Sequence, residues 1–581
     1  MQRNIKLSRI PFIASAIALL VIIYDMGFEK HFGENRLLEQ IYIFTIIVGS
    51  VSIAGRYFFK NIRPVLKVLT FDLPLVLLCV VIILLHFKIT DLQEQYFSIQ
   101  DIGLRIAVVM IFIREFAALK IKYKWGTVNP AQLFIFSFLT LIVSGCFFLL
   151  LPNATYTNIS LIDALFTSTS AVCVTGLIVV DTGSFFTPFG QIVIMFLIQA
   201  GGLGIMTFAN YFSYFFKGSA SFSKQILISE LTWSGRLGEV FATLKKIIIT
   251  TFFIEITGAI LIFYCLDAEL INSYSERMFF SVFHSVSGFC NAGFSTLQNS
   301  LYSSAFRFNY SLHLVVAVLF VLGGMGFPIV FNLFKYLKNK LLNLTLKLAG
   351  KKHIYSPWIV NINTRIVLVT TLCLILFGMV SFFIFEFNNT LAEHNLWGKV
   401  VASFFGAVTP RTAGFNTTDT ANLSMPVVMM MVFLMWVGAS PASTGGGIKT
   451  STLAVAVINF LALARGKNRL EVFSREISQA SVNRAFAVIF LSILVISTAT
   501  FSILLFENDM NALDVSFECV SAFSTVGLSR GITSGLNDYS KFTLILTMFT
   551  GRVGMLTVLI ALFRKVAGYK YRYPEEDVLI N

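Results

Sequence analysis

Twelve stretches of this chain are apolar over about 20 residues or more, or close to it, the length that carries a helix across a bilayer. They fall at 10–27, 41–58, 68–87, 102–119, 131–151, 188–215, 246–266, 311–334, 364–387, 425–462, 485–506 and 541–563. Between them, four shorter segments at 160–177, 278–294, 396–415 and 513–528 mix apolar residues with Ser, Thr, Gly or Asn. These are too short to cross. Backbone that enters a membrane without crossing must be wrapped in protein or line a water-filled cavity, so the four segments predict re-entrant hairpins. The pattern as a whole predicts an all-α polytopic membrane protein.

Charge assigns the two sides. With the N-terminus inside, the connections 1–9, 55–67, 114–124, 216–246, 335–365, 464–484 and 564–581 hold 32 of the 44 Lys and Arg but only 8 of the 30 acids. That is the bias of cytoplasmic loops, so both termini are expected in the cytoplasm and all four hairpins enter from outside. The net charge of +14 is then a topology signal, and no nucleic-acid partner is expected. With 56% hydrophobic and 13% charged residues and a mean hydropathy of +0.79, a soluble or disordered chain is excluded. No small-residue cleavage site follows Asp25, so the first apolar stretch reads as a retained helix. Seven Cys and six His are scattered without a CxxC pair or cluster, which argues against a zinc site or a disulfide framework. An intramembrane enzyme would need paired catalytic groups. His284 and His313 fall in different elements with no acid at helical spacing, so no enzyme is expected.

Four eleven-residue strings align without gaps: Thr167–Leu177 (TSTSAVCVTGL), His284–Phe294 (HSVSGFCNAGF), Phe405–Phe415 (FGAVTPRTAGF) and Glu518–Leu528 (ECVSAFSTVGL). Each has Gly at its tenth position, followed by Leu or Phe. Gly176, Gly293, Gly414 and Gly527 stand 117, 121 and 113 residues apart, which predicts four copies of helix, pore loop, helix. Glycine permits the positive φ and close approach that aim consecutive carbonyls at one axis. Carbonyl rings of that kind replace the hydration shell of K⁺, and the pore helix adds the negative end of its dipole. The candidate ion-binding filter is Val174, Thr175 and Gly176; Asn291, Ala292 and Gly293; Thr412, Ala413 and Gly414; and Thr525, Val526 and Gly527. The Asn291 side chain reads equally as a hairpin stabiliser or a carbonyl donor. Asp163 and Asp514 each lie 13 residues before their glycine, where an acid would cap a pore helix.

These residues resemble the Trk/Ktr/HKT superfamily of cation transporters, over about 130–581. TPRTAGFNTTD (409–419), GASPASTGGGIKTST (438–452) and GRVG (551–554) are similar to that family's third filter, third-repeat loop and fourth-repeat arginine. The bacterial Trk/Ktr branch fits better than the plant branch. The resemblance implies four helix–pore loop–helix repeats in pseudo-fourfold symmetry, here 126–218, 240–340, 360–465 and 480–566. It implies potassium uptake across the cell inner (cytoplasmic) membrane, with Gly at 176 going with K⁺ over Na⁺. A Na⁺-coupled or poorly selective monovalent cation transporter on the same scaffold is the alternative. It further implies a homodimer on a cytosolic nucleotide-binding ring of the RCK, TrkA or KtrA kind. No organic cofactor is expected, and nucleotide enters only through that ring. Basic loops, Lys335–Lys352 above all, suit either the ring or anionic lipid headgroups.

Second helices share GGLG (201–204), GGMG (323–326) and GRVG (551–554), read as small residues packing beneath the filter. The third repeat departs from this: 425–462 is broken by Gly438, Pro441 and the run Gly445, Gly446 and Gly447, with Lys449 just after. Such a break must face water or protein, and the resemblance makes it an intramembrane gate. Arg552, a charge at membrane depth, costs roughly 2.5–3.5 kcal/mol unless satisfied. It is expected to bond the gate's carbonyls or a nearby acid and to repel permeating cations. Lys449 reads either as part of the gate or as a side chain reaching the cytosolic surface. Arg411 is expected to hold the filter from behind, paired with an acid such as Asp419. Glu255 reads as a buried hydrogen-bonding partner.

The four spans of 1–125 form a separate domain, vaguely resembling a voltage-sensor bundle, with Asp72 in helix three and Arg105 and Arg114 in helix four. Gating arginines recur every third residue, but 108 and 111 are Val and Ile. A packing or targeting extension is the better reading.

Overall fold

The computed structural model describes residues 10–28, 34–59, 66–89, 97–118, 130–215, 240–266, 271, 273–350, 360–467 and 469–562. Several of the basic connections expected on the cytoplasmic side, including 1–9, 216–239 and 564–581, lie outside these residues. The chain forms two compact units, 1–127 with 151–155, and 128–150 with 156–581.

In the first unit, α1 (Ile10–Gly27), α2 (Glu34–Phe59), α3 (Leu66–Ile89) and α4 (Phe97–Ala118) pack around Ala18, Ile46, Cys79, Leu104 and Ile111. Arg105 Nη2 lies 2.8 Å from Asp25 Oδ2, to which the Tyr42 hydroxyl also donates. Arg114 grips Asp72 with two bonds of 2.5 and 2.6 Å. A charge in a membrane is costly unless paired, and each of these α4 arginines is answered by an acid on α1 or α3. Val108 and Ile111, in the register of a gating arginine, are wholly buried.

The second unit repeats one plan. An outer helix is followed by a short pore helix and a second long element: α5 (Pro130–Leu149), α6 (Leu161–Val172) and α7 (Pro188–Phe215) in the first repeat. The second repeat has α8 (Val240–Cys265), α9 (Tyr274–Cys290), then α10 (Tyr310–Gly324) and α11 (Phe327–Leu348). The third has α12 (Ile362–Glu386), α13 (Leu396–Val408), α14 (Met425–Trp436) and α15 (Thr450–Ala464). The fourth has α16 (Gln479–Phe506), α17 (Ala512–Ser524), α18 (Asp538–Val553) and α19 (Met555–Leu562).

All twelve apolar segments are helical, but three are interrupted. The break in 425–462 is the expected one. The segments 311–334 and 541–563, expected as single spans, also break, because the last glycine of GGMG and of GRVG takes a positive φ: Gly326 at +80° and Gly554 at +85°. At Gly326 the chain turns by 104°. GGLG stays inside the continuous α7.

Polarity is arranged for a hydrocarbon solvent. The outer helices expose Phe253, Ile256, Leu372, Leu376, Phe490 and Phe501, while the pore helices bury Ser168, Ser170, Ser285, Ser287, Glu518 and Ser521. Buried hydroxyls bond main chain: Ser168 donates to Ile142 O at 2.7 Å and Ser285 to Glu255 O at 2.6 Å, tying α6 to α5 and α9 to α8.

The pore-helix caps differ from expectation. Ser160, Asn395 and Asn511 accept the first free N–H groups of α6, α13 and α17. Asp163 and Asp514 sit three residues further in. There the helix geometry turns their carboxylates sideways: Asp163 Oδ1 takes Lys541 Nζ of α18 at 2.7 Å, and Asp514 pairs with Arg530 at 2.5 Å. The first pair joins the first repeat to the fourth. Asp163→Ala should therefore cost about 2 kcal/mol, the range for a hydrogen bond to a charged group, read as a lower Tm of the detergent-solubilised protein. Pairing Asp163→Leu with Lys541→Met should recover much of that loss, since no buried charge is then stranded.

Candidate functional site

Each pore helix ends in the same backbone sequence. The eighth residue of each string is left-handed: Val174 at φ +55°, Asn291 at +60°, Thr412 at +75° and Thr525 at +50°. The ninth is ordinary. The tenth is the glycine, at +90°, +70°, +77° and +90° for Gly176, Gly293, Gly414 and Gly527. Left-handed residues thus flank an ordinary one in every loop. Main chain then meets main chain. A Cβ on Gly176 would collide with Ala292 O, one on Gly293 would press on Ala413 O, one on Gly414 would collide with Val526 O, and one on Gly527 would collide with Thr175 O. The contacts run from hairpin one to two, two to three, three to four and back to one.

A shared scaffold holds the four loops. The ninth-position N–H bonds back into the pore helix: Thr175 to Ser170 O, Ala292 to Ser287 O and Val526 to Ser521 O at 2.8–2.9 Å, and Ala413 to Thr409 O at 3.0 Å. Gly176 N donates to Ser170 Oγ at 3.0 Å and Gly527 N to Ser521 Oγ at 3.1 Å. Ser287 Oγ donates instead to Phe294 O, and Thr409 Oγ1 to Phe415 O. The serine stands at position four of three of the strings and passed unremarked in the sequence, because its partner is known only once the loop is folded. Glu518 was missed for the same reason: it accepts from Ser529 Oγ, Arg530 N and Thr533 Oγ1 at 2.5, 3.1 and 3.0 Å and clamps the fourth loop's exit.

The Asn291 side chain stabilises the hairpins. Its amide oxygen takes Thr412 Oγ1 at 3.1 Å, while its nitrogen donates to Gly288 O and Phe320 O at 3.1 and 3.0 Å. Glu255 is the expected buried partner, accepting from Gln199 Nε2 at 3.1 Å. The pairing of Arg411 with Asp419 is not made among the described residues. Arg411 is buried and turned inward, lining a small cavity with Phe320, Gly324, Thr371, Ala439 and Ser440. Asp419 faces outward, where its carboxylate accepts from Ala421 N and Asn422 Nδ2.

Residues 437–449, between α14 and α15, lie directly under these loops. Gly445 packs on Thr412 Oγ1 and Gly446 on Thr525 Oγ1, so closely that neither has room for a Cβ. Three sets of bonds fix the segment. Arg552 Nη1 donates to Thr444 O, and its Nη2 to Gly201 O at 3.1 Å, so the arginine binds loop carbonyl and not an acid. Lys449 folds back instead of reaching for the surface, with Nζ 2.6 Å from Gly445 O and 3.3 Å from Gly446 O. The break after α10 supplies the third set: Ser440 N donates to Gly324 O at 3.0 Å and Phe327 N to Ala442 O at 3.2 Å. Elsewhere the second-helix glycines pack as expected. Gly201, Gly323 and Gly551 lie against Val172 O, Phe289 O and Phe523 O, the sixth position of their strings.

Known proteins resemble this chain in sequence and in fold. The family model described as TrkH, cation transport protein, matches residues 102–567. The chain is similar to the Ktr system potassium uptake protein B of Bacillus subtilis, 36% identical over 459 residues, covering 78% of this chain and 97% of that protein. It is similar also to the potassium/sodium uptake protein NtpJ of Enterococcus hirae, 34% identical over 461 residues, covering 78% and 97%. Among solved structures, the potassium transporter TrkH from Vibrio parahaemolyticus aligns with a TM-score of 0.60 at 18% identity, over 84% of this chain and 97% of that one. That likeness is one of fold, and the fold is an all-helical membrane protein. The chain belongs to the TrkH family of cation transport proteins, which are multi-pass membrane transporters and not enzymes.

Proposed function

We propose that the chain is the pore of a potassium uptake system in the cytoplasmic membrane, with both termini inside and the four hairpins open to the outside. The observation that carries this reading is the closed cycle of glycine-to-carbonyl contacts among the hairpins. Backbone carbonyls of residues 174–176, 291–293, 412–414 and 525–527 would then replace the water around K⁺, a cation that a carbonyl ring suits. The name of the Bacillus relative, a potassium uptake protein, supports the choice of ion, as does Gly at 176. The ion is the cargo, and nothing in the reading calls for a resident cofactor.

The segment 437–449 is the gate. It sits where an ion leaving the filter must pass, and Arg552 holds Thr444 there while adding a positive charge to the path. Opening requires the loop to leave Thr412 and Thr525, which means breaking its main-chain bonds to Gly324 and Phe327 and the charge-assisted bond from Arg552 to Thr444 O; the Lys449 bonds lie within the loop and shape it. Charge-assisted bonds of this kind are worth about 1.5–3 kcal/mol each, a barrier that a regulatory partner can supply or remove. The "Ktr system" in the relative's name fits a pore that works with other subunits. We assign this chain a homodimeric state and a cytosolic nucleotide-binding ring as its partner.

Flux into proteoliposomes holding the purified chain tests the reading. K⁺ and Rb⁺ should enter and Na⁺ should lag well behind, while Arg552→Ala should raise K⁺ flux. Equal Na⁺ and K⁺ rates would instead favour a poorly selective cation transporter. No flux from either the native chain or Arg552→Ala would refute the pore. Ser521→Ala leaves the Gly527 N–H without its acceptor and should cut K⁺ flux several-fold. Ser502→Ala, on the lipid-facing side of α16, should leave it unchanged.

A further inference from the structure

The helix α11 follows a 104° turn at the end of α10, so it leaves the direction of its span and runs nearly across it. Its 22 residues contain no acid. Phe334, Leu337, Leu341, Leu344 and Leu348, spaced alternately three and four residues apart, form one apolar stripe and are 51–83% exposed. Four exposed lysines lie off that stripe: Lys338 borders it on one side, Lys340 and Lys347 on the other, and Lys335 stands further round toward the opposite face. An apolar stripe flanked by lysines on a helix in the membrane plane is the chemistry of an interfacial helix, sunk into acyl chains with its amines at the headgroups. At its first turns the stripe continues into a groove of about 410 Å³ between α8 and α10, lined by Phe253, Thr257, Leu261, Leu314, Val330 and Phe334. The one hydroxyl among these, Thr257 Oγ1, is already bonded to Phe253 O. The slot therefore offers only hydrocarbon to its occupant.

We infer that α11 is a docking surface for anionic phospholipids of the inner leaflet, with headgroups at Lys338, Lys340 and Lys347 and an acyl chain in the α8–α10 groove. This rests on the orientation and gate proposed above. The surface is joined to the gate by main chain. Phe327 N, in the first turn of α11, donates to Ala442 O at 3.2 Å, and Gly326 lies against Pro441 O. Lipid that holds α11 in this arrangement holds the loop under the filter, because a ligand favours the state to which it binds better. Each lysine near an anionic surface adds to that hold, and salt weakens it.

The full chain in detergent should gain thermal stability from added phosphatidylglycerol and not from phosphatidylcholine. Replacing Lys338, Lys340 and Lys347 with Gln should abolish the difference. Equal stabilisation of that variant would overturn the docking surface, as would a disulfide forming between copies of Leu341→Cys, which would put a second protomer on this face. In vesicles, K⁺ flux should be about 5-fold slower with phosphatidylglycerol than with phosphatidylcholine alone, the low end of typical coupling between two sites. The lysine variant should show no such difference. A native chain whose flux ignores or rises with anionic lipid would overturn the link to the gate. A chain that moves no K⁺ in either lipid, yet is stabilised by phosphatidylglycerol only when its lysines are present, would count against the potassium reading and leave the lipid surface standing. The Leu337→Glu, Leu341→Glu double variant is a second check: it keeps every lysine and should still lose the stabilisation.

Discussion

Four places where main chain touches main chain, with no side chain between, set the terms for everything around them. Gly176, Gly293, Gly414 and Gly527 each lie against the next hairpin's carbonyl, and a methyl group at Gly176, Gly414 or Gly527 would force two hairpins apart. The surrounding architecture preserves that spacing. Second-helix glycines bring Gly201, Gly323 and Gly551 up under pore-helix carbonyls, and hydroxyls of Ser170, Ser521, Ser287 and Thr409 pin the loops from behind. In hydrocarbon an unanswered backbone group is costly, so a non-helical centre demands a polar interior. Phenylalanine and leucine both coat the outside and fill the packing between helices, while buried serine and threonine gather on the short helices at the centre.

The quadrants share a plan without being equal. The first repeat keeps a continuous second helix, whereas the second and fourth break at a single glycine and the third opens a thirteen-residue loop. That loop exposes carbonyls at membrane depth, and Arg552 needs acceptors at the same depth. The two meet in part: Thr444 O accepts from Arg552 Nη1 and Gly201 O from its Nη2. Lys449 Nζ donates likewise to Gly445 O and Gly446 O. A charge that would be prohibitive alone becomes the fastening of an irregular segment.

What could be read from the chain depended on how local its cause was. The glycine frame was legible because a positive φ is a demand on one residue, and the break in 425–462 because Pro441 and three consecutive glycines cannot continue a helix. The arginine's acceptor was legible in kind, since few groups at that depth can serve. The turns at Gly326 and Gly554 were not, because GGLG has nearly the same composition and stays helical; whether a glycine bends depends on the loop it meets. Asp163 and Asp514 looked like caps at the right distance, but Ser160 and Asn511 reach the helix ends first, and the acids find Lys541 and Arg530 only in the folded chain. Arg411 and Asp419 are near in sequence, yet the backbone between them turns one inward and the other out.

The order of the contacts, one to two to three to four and back to one, carries an evolutionary consequence. A ring assembled from four identical subunits suffers every mutation four times over, so its positions change together or not at all. Here one gene encodes the whole circumference, and a substitution alters a single quadrant while three intact neighbours keep the geometry. That freedom lets Val, Asn, Thr and Thr share the eighth position. It also lets the third quadrant carry an irregular loop that an arginine of the fourth holds in place.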